Sequence, residues 1–173
     1  TEIIVVDDDS SAGDAAALRA FANEVRIVRI RGRVGFAGAC NAGAAVAAGR
    51  YLALLNNDTL PLSGWLSALE RYAEDHPRAG IVGARTLWPD GTVQHAGVVV
   101  RPGGGVHHLY RGLPGDHHAV RRSRRIRAVT GAVMLIRREV WDELGGLDAL
   151  FYNGFEDIDL CLRAGELGHE VHV

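Results

Sequence analysis

"LALLNNDTLP", residues 52–61, opens as an apolar run suited to a buried strand. It then breaks into Asn56, Asn57 and Asp58 ahead of Pro61. Three short polar side chains at the end of a core strand are costly to bury without partners. They make physical sense at a sheet edge, because open α/β sheets bind ligands outside the carboxyl ends of their strands. Capping of a following helix accounts for one such residue, not for all three.

Working outward, strand and helix patterns alternate. "EIIVV" (2–6) is a β-branched run of the kind buried on both faces, followed by Asp7, Asp8 and Asp9. Ser10 or Ser11 can cap an Ala-rich helix around 13–22. "VRIVRI" (25–30) alternates as a half-exposed strand, and "GFAGACNAGAAVAAG" (35–49) predicts a helix closed by Gly49. "YLALL" (51–55) is the next buried strand. "SGWLSALERYAEDH" (63–76) sets Trp65, Leu66, Leu69 and Tyr72 on one helical face before Pro77. "GIVGA" (80–84) is a short strand. This order predicts an α/β fold with a mostly parallel central sheet flanked by helices.

After residue 85 the rhythm changes. "WPDGTVQ" predicts a hairpin turn and "HAGVVV" a strand. Residues 101–127 form a long Gly-, His- and Arg-rich stretch without periodicity, a length usually kept for function. "AVMLI" (132–136) is a buried strand, and "RREVWDELGG" (137–146, with its glycines) and "EDIDLCLRAGELG" (156–168) are helices. The expected organisation is a single domain of residues 1–173, with halves of 1–84 and 85–173.

Composition removes several function classes. A formal net charge of −2 gives no global field toward nucleic acid or an anionic membrane, so no nucleic-acid partner is expected. Cys40 and Cys161 make neither a disulfide framework nor a zinc spacing, which suits a reducing, cytoplasmic setting. No apolar run approaches the roughly 20 residues of a membrane span, so association with a membrane is expected to be peripheral, at its inner face. All 19 basic residues are arginine, which excludes chemistry that needs a lysine. The chain begins and ends in strand-like residues, and both ends are expected to continue in a longer protein.

Carboxylates gathered at one sheet edge repel unless a cation lies between them. Asp7 to Asp9, Asp58, and Glu156, Asp157 and Asp159 are three such clusters. Hard divalent cations, Mg²⁺ or Mn²⁺, take one or two carboxylates together with substrate phosphates. A phosphorylatable receiver domain also has acidic residues after its strands. Here, however, Asn57 stands where the phosphorylated Asp belongs, and the required lysine is missing.

A set of motifs in order, among them "EIIVVDDDSS", "GFAGACNAG", "YLALLNNDT", "PDGTVQHAGVV", "VTGAVMLIRREVWDELGGLD" and "FEDIDLCLRAGELGHEV", resembles the family 2 glycosyltransferases of GT-A fold. The likeness is to bacterial rhamnosyltransferase-like and O-antigen-type members. It implies metal-dependent, inverting transfer of a hexose from a UDP-, dTDP- or GDP-sugar to a glycan or lipid-linked acceptor. By this resemblance Asp7, Asp8 and Ser10 meet the nucleotide, Gly35, Phe36 and Asn41 line the nucleotide-sugar pocket, and Asn57 lies near sugar or ribose. Gly35 and Gly38 serve helix–sheet packing equally well. Asp58 is the implied metal ligand, with Asn56 in place of the motif's first Asp. Asp157 is the implied general base, with Glu156 orienting it or the acceptor. First-turn helix stabilisation is the simpler role for Asp159, and Arg163 either pairs with these acids or is solvated. Arg33 replaces an expected Asn. Loop 107–127 borders donor and acceptor, its arginines suited to anions and its histidines to polar surface. A non-catalytic nucleotide-sugar-binding module of a larger protein is the competing reading.

Overall fold

A computed structural model of the chain describes residues 1–103 and 105–173; Gly104, within the 101–127 stretch, lies outside the described residues. Strand β1 (Ile4–Asp8), helix α1 (Ala12–Arg19) and strand β2 (Arg26–Ile30) begin the alternation, with β1 and β2 parallel and paired from Ile4↔Arg26 to Asp8↔Ile30. Ser11 caps α1, its Oγ accepting the Asp14 N–H at 3.2 Å. Helix α2 (Gly35–Val46) lies on β1, where Gly43 lets Val6 approach: a Cβ there would sit 3.0 Å from Val6 Cγ2.

The expected closure of α2 at Gly49 is corrected to Val46. Ala47 turns extended, and the exposed carbonyls find arginines instead of a glycine turn. Arg138 donates to the carbonyls of Ala44, Ala47 and Gly49, and Arg26 donates to Val46 O at 2.7 Å.

Next come β3 (Tyr51–Leu55), α3 (Trp65–Asp75), β4 (Ala79–Gly83), and the hairpin of β5 (Thr86–Leu87) and β6 (Val93–His95). A second antiparallel pair, β7 (Val98–Val100) and β8 (Val106–His108), follows. Strand β9 (Arg125–Ile126) leads to β10 (Val133–Arg137), α4 (Arg138–Leu144), α5 (Glu156–Glu166) and β11 (Glu170–His172). The central sheet has the order β3-β10-β4-β11-β9.

The fold is α/β with a central sheet flanked by helices, as the sequence predicts. Its pairing needs a correction, because the sheet is mixed. β3, β4 and β11 run one way, but β10 enters between β3 and β4 antiparallel to both, and β9 is antiparallel to β11. The chain returns from the 85–132 excursion, not through a helical crossover, so nothing obliges β10 to run parallel. β10 also joins the expected halves, since it belongs to 85–173 and pairs with strands of 1–84.

β10 is the centre of the core: Met134, Leu135 and Ile136 are fully buried, with Ile81 of β4 and Leu160 of α5. β3 is buried on one face only, a second correction. Leu52 and Leu54 point inward while Ala53 and Leu55 are exposed. Among the described residues β3 pairs with β10 alone, so one of its faces is left to solvent. Tyr51 shares the Arg137 guanidinium, which also donates to Ala79 O at 3.0 Å.

Candidate active site

Two of the three polar clusters meet at one short segment, Thr130-Gly131-Ala132, which leads into β10. Val133 is registered with Leu55, so Ala132 lies beside the end of β3 and its carbonyl accepts the Asn56 N–H at 2.9 Å. One residue earlier, the Gly131 N–H donates to Asp157 Oδ2 at 2.7 Å. The polar end of β3 and the acidic start of α5 are therefore fixed to neighbouring backbone atoms. Gly131 fits because no side chain has room: a Cβ there would lie 3.1 Å from Phe36 Cε1 and 3.2 Å from Asp157 Cβ.

The triplet itself forms a turn. Asn56 Oδ1 accepts the Asn57 N–H at 3.1 Å, and Asn56 O accepts the Thr59 hydroxyl at 2.6 Å. Asn57 and Asp58 are exposed at the tip. Asp58 offers a carboxylate to solvent, the donor type that suits a hard cation shared with a diphosphate. No group of three or more His, Cys, Asp or Glu among the described residues is placed to hold a metal ion. A single exposed carboxylate is the donor set that fits a hard cation sharing phosphate ligands.

At the first strand end, Asp7 is buried, accepts the Ser10 N–H at 2.9 Å and lies 3.6 Å from Arg29 Nε. The Ser10 hydrogen bonds, and secondarily Arg29, hold its carboxyl below the usual carboxylate range against the opposing effect of burial. Asp8 is turned elsewhere. Its two oxygens accept the N–H groups of Val34 (2.9 Å) and Gly35 (3.0 Å), capping α2 from β1. α2 has no side-chain cap of its own. Each Asp8 oxygen accepts one of these N–H groups and keeps a further lone pair.

Asn41 reaches from α2 to Leu147. Its Nδ2 donates to Leu147 O at 2.8 Å and its Oδ1 accepts the Leu147 N–H at 3.0 Å. The amide clamps α2 to the loop after α4. Gly35, at φ 74°, lies so close to Tyr152 O that a Cβ would come within 2.1 Å. Phe36 packs against the main core and against Gly131. The packing alternative thus accounts for Gly35, and Phe36 bridges α2 to the Asp157 neighbourhood.

At α5, Asp157 is half-buried, and its second oxygen accepts the Ile158 N–H at 2.8 Å. Each oxygen keeps a further lone pair. Glu156 is buried and accepts the Gly154 N–H at 2.5 Å. It faces α2, where burial first and the Glu156 charge second push the Cys40 thiol up to about 12. The Gly154 contact ties Glu156 to the turn before α5. Asp159 pairs with Arg163 at 2.7 Å, and Arg163 also donates to Leu144 O and Gly146 O. This settles both residues as structural.

Two participants have no role in the sequence reading. His95, from the "QHAG" motif, is buried on β6, and its Nδ1 lies 2.9 Å from His108 Nδ1 on β8. Its Nε2 accepts the N–H groups of Gly97 and Thr130, each at 3.3 Å. The signal was the alternation of β6, which sends His95 to the same side as buried Val93. His108 is therefore part of a network, not merely polar surface. Arg111 lies over the half-exposed Trp88 ring, 5.7 Å from its centroid.

Solved structures with the same architecture include glycosyltransferases. The chain matches the mannosyltransferase PcManGT from Pyrobaculum calidifontis, solved with GDP-Man and Mn²⁺, with a TM-score of 0.66 and 22% identity, covering 98% of this chain and 44% of that one. It matches GalNAc-T7, solved with UDP, GalNAc and Mn²⁺, with a TM-score of 0.74 and 18% identity, covering 99% of this chain and 36% of that one. These likenesses establish the GT-A fold. Among curated proteins, it is 35% identical over 178 residues to the uncharacterized protein y4gI of Sinorhizobium fredii, covering 97% of this chain and 20% of the relative. It is 38% identical over 137 residues to the O-antigen biosynthesis protein RfbC of Myxococcus xanthus, covering 76% of this chain and 11% of the relative. The chain thus spans a fifth or less of the curated relatives it matches. Residues 1–145 match the profile of glycosyl transferase family 2, and the chain belongs to that family of glycosyltransferases.

Proposed function

We propose that the chain transfers a hexosyl group, with inversion, from a nucleotide-diphospho-sugar to a hydroxyl of a saccharide or lipid-linked acceptor in surface-glycan synthesis. The observation that carries this reading is the Gly131–Ala132 segment, which ties Asn56 and Asp157 to adjacent backbone atoms. Residues 1–84 form the nucleotide-sugar side and residues 85–173 the acceptor side. Asp7 and Ser10 meet the base and ribose, Gly35 and Phe36 shape the pocket wall, and Asn57 faces the sugar. Asp8 adds a nucleotide contact and Asn41 a pocket contact, and both also position α2. A UDP-, dTDP- or GDP-sugar satisfies these contacts.

Asp157 takes the proton of the acceptor hydroxyl as that oxygen bonds to the anomeric carbon and the bond to the diphosphate breaks. Gly131 and Ile158 hold the carboxylate in one orientation, so attack proceeds from a fixed direction. Asp58, together with the diphosphate, would hold Mg²⁺ or Mn²⁺, and the ion when bound would supply positive charge for the leaving group. The solved relatives bound to Mn²⁺ with GDP-Man or UDP support a metal of this kind. No helix among the described residues is long and apolar enough to cross a membrane.

Asp157→Asn tests the assignment. Transfer from a panel of nucleotide-sugars is expected to fall by about 100-fold or more, while nucleotide affinity is retained. Equal transfer by Asp157→Asn and the parent would remove Asp157 as the base. A chain that binds the nucleotide and never transfers would be a binding module.

A further inference from the structure

His95 and His108 form a pair whose protons are dictated by their neighbours. His95 Nε2 accepts two backbone N–H groups, from Gly97 and Thr130. That nitrogen has no room for a proton of its own, so neutral His95 carries its proton on Nδ1. Nδ1–H then donates to His108 Nδ1 across 2.9 Å. His108 Nδ1 is an acceptor, and its own proton sits on Nε2. Protonating either ring sets two N–H groups against each other: Nε2–H of His95 against Gly97 and Thr130, or Nδ1–H of His108 against His95.

The pair adjoins the proposed base. Thr130 donates to His95, and the next residue, Gly131, donates to Asp157. His108 is exposed and close enough to Asp157 for the carboxylate charge to act on it, as does the opposing charge of Arg111. An ordinary histidine beside a carboxylate gains a proton near neutrality and pairs with it. Here that would neutralise the group that must accept the acceptor's proton.

We infer that His95 is a buried tautomer lock that keeps His108 neutral, with its Nε2–H outward, so that His108 is a positioning hydrogen-bond donor beside Asp157 and leaves that carboxylate free. The inference rests on the proposed role of Asp157 as base. The energetics agree with the geometry. Burial, with the neighbouring His108 second, pushes His95 down to about 3, and burial, then Arg111, lowers His108 against the pull of Asp157.

Nitrogen-15 NMR of the imidazoles from pH 5 to 8 reads the lock without any substrate. The expected pattern is Nδ1–H for His95 and Nε2–H for His108, with His95 not titrating and His108 titrating below its ordinary value. An Nδ1–H pattern for His108, or its titration near the ordinary value of about 6.5, overturns the inference. Kinetics then read the consequence. In His95→Gln the side-chain amide can meet Gly97 and Thr130 but leaves His108 Nδ1 free to protonate. The acid limb of kcat/KM should move up toward pH of about 6.5. Adding His108→Gln, which cannot ionise, should return the limb to its original place. A limb unmoved in His95→Gln contradicts the lock. Should that variant fail to fold, the NMR pattern of the unaltered chain decides. The expected NMR pattern with no transfer by the unaltered protein would count against the transferase reading and leave the tautomer lock standing.

Discussion

Gly131 donates its backbone N–H to Asp157 Oδ2 at 2.7 Å, although 26 residues separate them. The same glycine leaves no space for a side chain between Phe36 and Asp157. Gly131→Ala is therefore expected to displace Asp157 or the Phe36 ring, costing about 1–3 kcal/mol of stability. Thermal melting measures the first effect, and transfer at a temperature where the variant is fully folded measures the second. We expect both to fall. Unchanged melting together with full activity would show that the contact yields freely.

Asp8 links the end of β1 to the start of α2 through Val34 and Gly35. Asp8→Ala strands two helix N–H groups and removes a negative charge from the positive end of α2. A loss of about 1–2 kcal/mol is expected, as for other caps. Asp8→Asn keeps one acceptor and should lose less. Chemical denaturation separates the two variants. Asp7→Asn, by contrast, should weaken nucleotide binding more than it lowers the denaturation midpoint.

Asn41 meets both backbone groups of Leu147. Asn41→Ala leaves them unpaired, at about 1–3 kcal/mol. Asn41→Asp keeps an acceptor for the N–H but turns a carboxylate oxygen toward Leu147 O. It is expected to be the more damaging change, although it is the smaller one. Equal midpoints for the aspartate variant and the parent would remove the clamp.

His95 predicts a dependence of stability on pH. Its folded value is depressed from 6.5 to about 3, so only the unfolded chain takes up this proton between those limits. The penalty is absent above pH 6.5 and grows as pH falls toward 3. Stability then drops by roughly 1 kcal/mol per pH unit from this group. Denaturation at pH 7 and pH 5 for the parent and for His95→Gln measures it as a difference. The parent should lose more.

The sequence makes the local elements legible. The apolar runs of β3 and β4, the helical face of α3 and the Gly145 stop of α4 lie where periodicity and turn chemistry place them, whereas β1 starts at Ile4, two residues into its run, and leaves Ile3 exposed. The polar end of β3 and the acidic start of α5 are equally plain as strings of residues. What the sequence hides is non-local. β10 enters between two strands that come from the other half of the chain, and an apolar run carries no direction. Asn41 and Leu147 are 106 positions apart, so an amide in a helix reads the same whether it meets a ligand or a loop. Asp8, next to an aspartate that points elsewhere, is distinguished only by where α2 begins. His95 is betrayed by alternation alone, and its partner lies on another strand.

The central claim is that Asp58 completes a metal site only with a nucleotide diphosphate, while Asp157 acts on the acceptor side. Thermal shift with UDP, GDP and dTDP, each with and without Mn²⁺, tests it on the parent, Asp58→Ala and Asp157→Asn. One nucleotide should stabilise the parent and Asp157→Asn alike, chiefly when Mn²⁺ is present, and the Mn²⁺-dependent part should vanish in Asp58→Ala. A folded parent that responds to no nucleotide, or an Asp58→Ala variant that keeps the full Mn²⁺-dependent shift, would contradict the account.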